Sequence, residues 1–251
     1  MRPLQTDLSI YGEFDFKHTP VGVKFMLSKP EGIERMDKSM PFCEMFKEAQ
    51  QKGTPFYIGK DNEDCVGKVV LGMEEMSPSI EGGLIGPRFG IFQDSRANNK
   101  IYQYMPRFNP GIVNYVVFST LDKLTFEPDL LIITATPKQA EIVLRAMSYS
   151  TGEMWDPKAT PVLGCAWIYI YPYLSGKVNY TVSGMAFGMI AKQIFEEGWM
   201  LISIPYNWIP TITQNLQEME WVLPSYTDGR EQFMKREDRV FNEAKKESEN
   251  I

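Results

Sequence analysis

The sequence predicts an α/β fold of mixed α+β character, with a central mixed sheet and helices packed on it in a single compact domain. Three observations carry that expectation. Residues 112–118, apolar apart from Asn114, and 130–133 are runs rich in branched side chains, as in strands buried on both faces. Thr136-Pro137-Lys138-Gln139 follows the second run and reads as a capping box with proline in the first helical turn. Ala140, Val143, Leu144 and Met147 then recur at helical spacing, which gives a helix with one apolar face for the sheet. A strand followed by a capped helix is a building unit of layered α/β folds.

Bulk composition sets the limits. Of 251 residues, 43% are hydrophobic and 23% charged, which suits a chain that buries a substantial core rather than a disordered one. The net charge is -6 and no Lys/Arg cluster is present, so a nucleic-acid partner is not expected. The most apolar run, residues 162–174, is broken by Pro172 and is too short to span a bilayer, so a membrane partner is not expected either. An odd count of 3 cysteines and an N-terminus without a basic-then-apolar profile predict a reducing cytoplasm. The single histidine, His18, precedes Thr19-Pro20 at a strand entrance and reads as a loop residue, which weakens mechanisms that need an imidazole.

The remaining elements follow in chain order. Residues 7–16 predict a short helix ending near Gly12, and residues 21–27 a strand. Ser39-Met40-Pro41 opens a helix with Cys43 in its first turn, closed by Lys52 and Gly53. After an extended piece at 55–58, Asp64 is the natural cap for a second helix over 65–71, stopped by Gly72. Residues 76–90 are a glycine-containing loop that reads either as a plain turn or as a ligand loop with Arg88 as its charged residue; Pro87 and the lack of a preceding strand count against the latter. Asp94 or Ser95 caps a helix reaching Tyr104. Trp167, Tyr169, Tyr171 and Tyr173 alternate as in a strand, while Cys165, Ile168 and Pro172 suit a short helix, so both readings stand. Residues 178–182 and 199–204 are extended, and 208–221 form a helix. Beyond a domain of residues 1–224, residues 225–251 are a charged C-terminal helix or tail. Its stripe of Phe233, Val240, Phe241 and Ala244 is either a narrow docking face or an oligomer contact.

Cys43 and Cys65 both fall at predicted helix starts. Unpaired N–H groups and the positive end of the helix dipole favour thiolate there, which makes the two residues candidate metal ligands or nucleophiles. The competing reading is that each is a small buried hydrophobe.

A set of phrases spread along the chain resembles one family. They include Pro20-Val21-Gly22-Val23-Lys24-Phe25, Phe42-Cys43-Glu44, Asp64-Cys65-Val66-Gly67, Glu127-Pro128-Asp129-Leu130-Leu131-Ile132, Pro137-Lys138-Gln139-Ala140 and Gly164-Cys165-Ala166. In this order they resemble the archaeal and bacterial domain of unknown function 169 family, over residues 21–221. The resemblance implies a fold neighbourhood and a pattern of cysteines at 43, 65 and 165, often with a fourth where this chain has Ser183-Gly184. Such a set suits a cubane (4Fe–4S) iron–sulfur cluster with one open iron, or a degenerate site that has lost its cluster. On that reading Cys43, Cys65 and Cys165 are metal ligands, Ser183 or an exogenous ligand takes the fourth corner, and the protein has a redox or accessory role with a redox partner. The alternative is a non-catalytic small-molecule or cofactor binding protein with structural cysteines, using the loop around Arg88 and an aromatic-lined pocket. A third reading is an enzyme with one activated cysteine, Cys43 or Cys65, beside Glu44 or Lys47.

Overall fold

The computed structural model describes residues 1–249, and in it the chain is organised around one seven-stranded sheet. In chain order the elements are β1 (Val21–Met26), β2 (Glu34–Arg35), α1 (Met45–Lys52), β3 (Phe56–Ile58), α2 (Gly67–Val70), α3 (Pro78–Glu81), α4 (Ser95–Tyr104), β4 (Tyr115–Thr120), β5 (Leu130–Ala135), α5 (Pro137–Tyr149), α6 (Tyr171–Ser175), β6 (Asn179–Val182), α7 (Phe187–Ala191), β7 (Met200–Pro205), α8 (Ile209–Glu218), α9 (Pro224–Thr227) and α10 (Arg230–Ser248). The strand order across the sheet is β2-β3-β4-β1-β5-β7-β6. Only β2 and β3 run parallel; the other neighbours are antiparallel. The sheet is mixed, as expected.

All six residues of β5 are buried, which is why its sequence shows no alternation. β4 begins three residues later than its apolar run suggests. Asn114 explains the shift: its N–H donates to Met26 O at 2.9 Å and its side-chain Nδ2 to Leu27 O at 2.9 Å, closing the ladder just beyond the Met26–Tyr115 pair. Ile112, apolar but outside the ladder, is exposed.

The capping box at Thr136 forms as the sequence predicts. Gln139 N donates to Thr136 Oγ1 at 3.3 Å, and Thr136 N donates to Gln139 Oε1 at 3.0 Å. α1 closes at Gly53 in the left-handed conformation, φ 64°. The stop at Gly72 has a second cause, because a Cβ there would lie 2.7 Å from the backbone oxygens of Phe108 and Asn109.

The aromatic alternation after Cys165 is not a strand. Ala166–Ile170 form one π-helical turn that continues into α6, and all five residues are buried. With every direction around the turn facing protein, a period of two carries no information about a solvent face. Asn179 Nδ2 donates to Trp167 O at 2.8 Å and so satisfies a carbonyl of the turn.

The sheet edges are short. β2 contributes only the exposed Glu34 and Arg35. At the other edge, Asn179 of β6 is tied to the preceding loop by Lys158 N to Asn179 Oδ1 at 2.8 Å and Asn179 Nδ2 to Lys158 O at 3.0 Å.

The chain separates into two units, Met1–Gln217 and Glu218–Ile251. The first contains the sheet and the candidate site. In the second, α10 carries the expected Glu231–Lys235 ion pair at 2.7 Å, and Phe233, Val240 and Phe241 of its apolar stripe are exposed. The last two positions of the predicted tail, 250 and 251, lie outside the described residues. No helix among the described residues is long and apolar enough to cross a membrane.

Candidate functional site

The site is assembled on one buried carboxylate. Phe42–Glu44 form a 3-10 turn leading into α1, and Glu63 lies just before the turn that opens α2. Glu63 Oε1 accepts from Phe42 N at 3.0 Å, and Oε2 accepts from Cys65 N and Lys68 N, each at 3.0 Å. One side chain thus satisfies otherwise unpaired N–H groups at two helix starts. The sequence favours Asp64 for this role, but Asp64 is exposed and its neighbour Glu63 turns inward. Gly67 makes room: a Cβ there would lie 2.6 Å from both Glu63 Oε1 and Phe42 Cβ. Burial raises the Glu63 pKa above the ordinary carboxyl value, and the three N–H groups pull against that rise.

A second tie joins this region to the π turn. The Tyr169 ring stacks on Phe42 with centroids 4.1 Å apart, and its hydroxyl donates to Phe42 O at 3.2 Å. The segments holding Cys43, Cys65 and Cys165 are thereby drawn to one place. What lies between them is a cavity of about 280 Å³, which all three cysteines line. Its apolar wall includes Val66, Ile85, Phe89, Leu163, Phe187 and Met189. Glu63, Asn98, Tyr102 and Lys192 supply its polar side chains apart from the thiols. Leu163 has φ 62°, a left-handed conformation that a side chain with a Cβ rarely adopts, and its carbonyl accepts from Ala166 N at 2.9 Å where the π turn begins.

The DUF169 family profile, described as Uncharacterised ArCR, matches residues 9–215. The chain belongs to the DUF169 family. The DUF169 match contains every segment that lines the cavity. No curated protein and no solved structure matches the chain.

For this DUF169 member the metal centre expected on Cys43, Cys65 and Cys165 has to be corrected. Among the described residues, no three His, Cys, Asp or Glu side chains form a group that could hold a metal ion. The three thiols line one cavity without forming such a group, so the iron–sulfur reading fails on its ligand set. The thiolate argument fails for a related reason. The N–H groups that would favour an anionic sulfur at Phe42 and Cys65 donate to Glu63 instead. Burial then dominates: it pushes the Cys43 thiol up to about 12, with Lys192 only partly opposing it, and drives Cys165 well above the usual thiol range. Both are neutral sulfur in the wall, and for Cys43 this is the reverse of an activated nucleophile. Cys65 is the exposed thiol of the three.

The other predicted site residues lie elsewhere. Ser183 is buried outside the lining, with its N–H donating to Trp199 O at 2.8 Å and its hydroxyl to Glu196 O at 3.4 Å. Arg88 is exposed on the 3-10 turn Gly86–Phe89; Ile85, Gly86 and Phe89 from this segment face the cavity, and Arg88 is not among the lining residues. His18 packs its ring edge-on against Phe195 and Trp199, at 5.5 and 5.6 Å. Burial lowers its pKa.

Several lining residues were not singled out by sequence reasoning. Asn98 is fully buried inside α4, donating from Nδ2 to Gly83 O at 3.0 Å. An asparagine is a weak helix former, so its place mid-helix was the available signal. Met189 lies in the short helix α7 and Lys192 directly follows it, among small residues, and no local pattern marked either as part of a site.

Proposed function

We propose that the protein binds a small, largely apolar molecule in the cavity between its three cysteine segments. The observation that carries this reading is the cavity itself, about 280 Å³ with predominantly apolar walls, framed by Glu63 and the Phe42–Tyr169 stack. Well-packed interiors leave few spaces larger than a water molecule. Since an apolar cavity of about 150 Å³ accepts benzene, this one has room for roughly ten to twelve non-hydrogen atoms. The buried thiols of Cys43 and Cys165 and the thioether of Met189 give such a ligand polarisable, uncharged contacts. Exposed Phe89 and Cys65 mark the opening.

The test uses native mass spectrometry of the purified full chain and ligand-observed NMR with a set of naphthalene-sized apolar fragments. The wild type should retain a small molecule or bind fragments. Ala186→Phe, which places a ring into the cavity from a lining position, should weaken fragment binding at least about tenfold while the chain stays folded. A wild type that binds none of the fragments and carries nothing would overturn the proposal, as would undiminished binding in a folded Ala186→Phe variant.

A further inference from the structure

The cavity has a cation at its rim. Lys192 directly follows α7, and Gly188 stands one turn earlier. A Cβ on Gly188 would lie 3.6 Å from Lys192 Nζ, so the lysine stem folds back along α7, across the residue that has no side chain to obstruct it. Both residues line the cavity, which sets the ammonium over the opening while the lysine remains exposed to water. Among the described residues Lys192 makes no ion pair. The only other charged lining residue is Glu63, whose two oxygens already accept three backbone N–H groups. The ammonium also acts electrostatically on Cys43 and on Glu44, the latter a half-buried carboxyl outside the lining.

The charge at the rim and the uncharged depth of the cavity make opposite demands on a ligand. The interior, with neutral Cys43 and Cys165 in its wall, penalises any buried charge that finds no partner. The rim offers one ammonium free to take an anion. We propose that the ligand is an apolar carboxylic acid with a body of roughly ten to twelve non-hydrogen atoms, its carboxylate held by Lys192 Nζ and its body inserted between Phe187, Met189 and Ile85. This assignment rests on the cavity reading above and narrows it to a monoanion whose charge stays at the opening.

The experiment is isothermal titration of the full chain with decanoate and with decanol, which share an apolar body and differ in charge. The wild type should bind decanoate about threefold to tenfold more tightly than decanol, with that advantage shrinking as salt is raised. Lys192→Met keeps the apolar stem and should bind the two equally, with decanol affinity within about twofold of the wild type. Lys192→Glu should reverse the order. The lysine is exposed, so neither variant threatens the fold. Equal binding of both compounds by the wild type, or a decanoate preference that persists in Lys192→Met, overturns the carboxylate assignment and leaves the cavity reading standing. Failure of the wild type to bind either compound counts against the cavity reading, and the assignment falls with it.

Discussion

Glu63 accepts N–H groups from Phe42, Cys65 and Lys68, so removing it leaves one buried and two partly buried donors at two helix starts without a partner. Each such group costs about 1–3 kcal/mol, and Glu63→Ala should destabilise the chain by about 3 kcal/mol or more in urea denaturation. The loss should depend on pH. Burial raises the carboxyl pKa above its ordinary value of 4.5, so between that value and the folded-state pKa the native chain binds more protons than the unfolded one. The stability contributed by Glu63 is therefore complete below 4.5 and declines as pH rises through the folded pKa. The gap between wild type and variant should be widest below pH 4.5 and narrow toward neutrality, and a gap that widens with pH would contradict the assigned direction. This residue also shows where sequence reasoning stopped. Glu63 and Asp64 are adjacent acidic residues before a helix start, and only the placement of Met40 and Phe42 against this turn decides which one faces inward. The three cysteines were read as ligands meeting at one metal centre, and among the described residues they form no such group, although all three line the cavity. Their protonation was not legible, because it depends on burial, and burial is a property of the assembled molecule.

Among the elements, α5 was the most legible because its start is specified within four residues. Both arms of the Thr136–Gln139 box form, and Gln139 Nε2 also donates to Asp15 O at 2.7 Å. Thr136→Ala removes one arm and should lower stability by about 1 kcal/mol, read as a fall in thermal midpoint with the sheet intact. The segment after Cys165 was least legible, since a π turn with all sides buried has no polar face to set a phase. The predicted 65–71 helix shrinks to Gly67–Val70 for a physical reason as well. The Glu63 carboxylate holds Cys65 N and Lys68 N together, and the chain turns around it before α2 begins.

For the whole molecule, the mixed-sheet class was readable from β4, β5 and α5, but the strand order was not. Local patterns identify strands without naming their neighbours, and two-residue β2 is too short to show a pattern at all. The charged C-terminal segment was legible as a helix. α10 contains no buried residue, so a chain ending at Asp228 should match the full-length stability of the sheet-containing unit within about 0.5 kcal/mol by urea denaturation. A larger drop would show that this helix supports the rest of the protein. The two ends of the sheet carry a different consequence. Fibrils grow when a long, flat, apolar strand offers its open backbone to another molecule as a template. One margin here is a glutamate–arginine pair two residues long, and the other is four residues pinned by an asparagine to its own loop. Neither gives an incoming chain enough ladder to propagate, which guards a protein whose inner strand β5 is buried along its whole length against self-templated assembly.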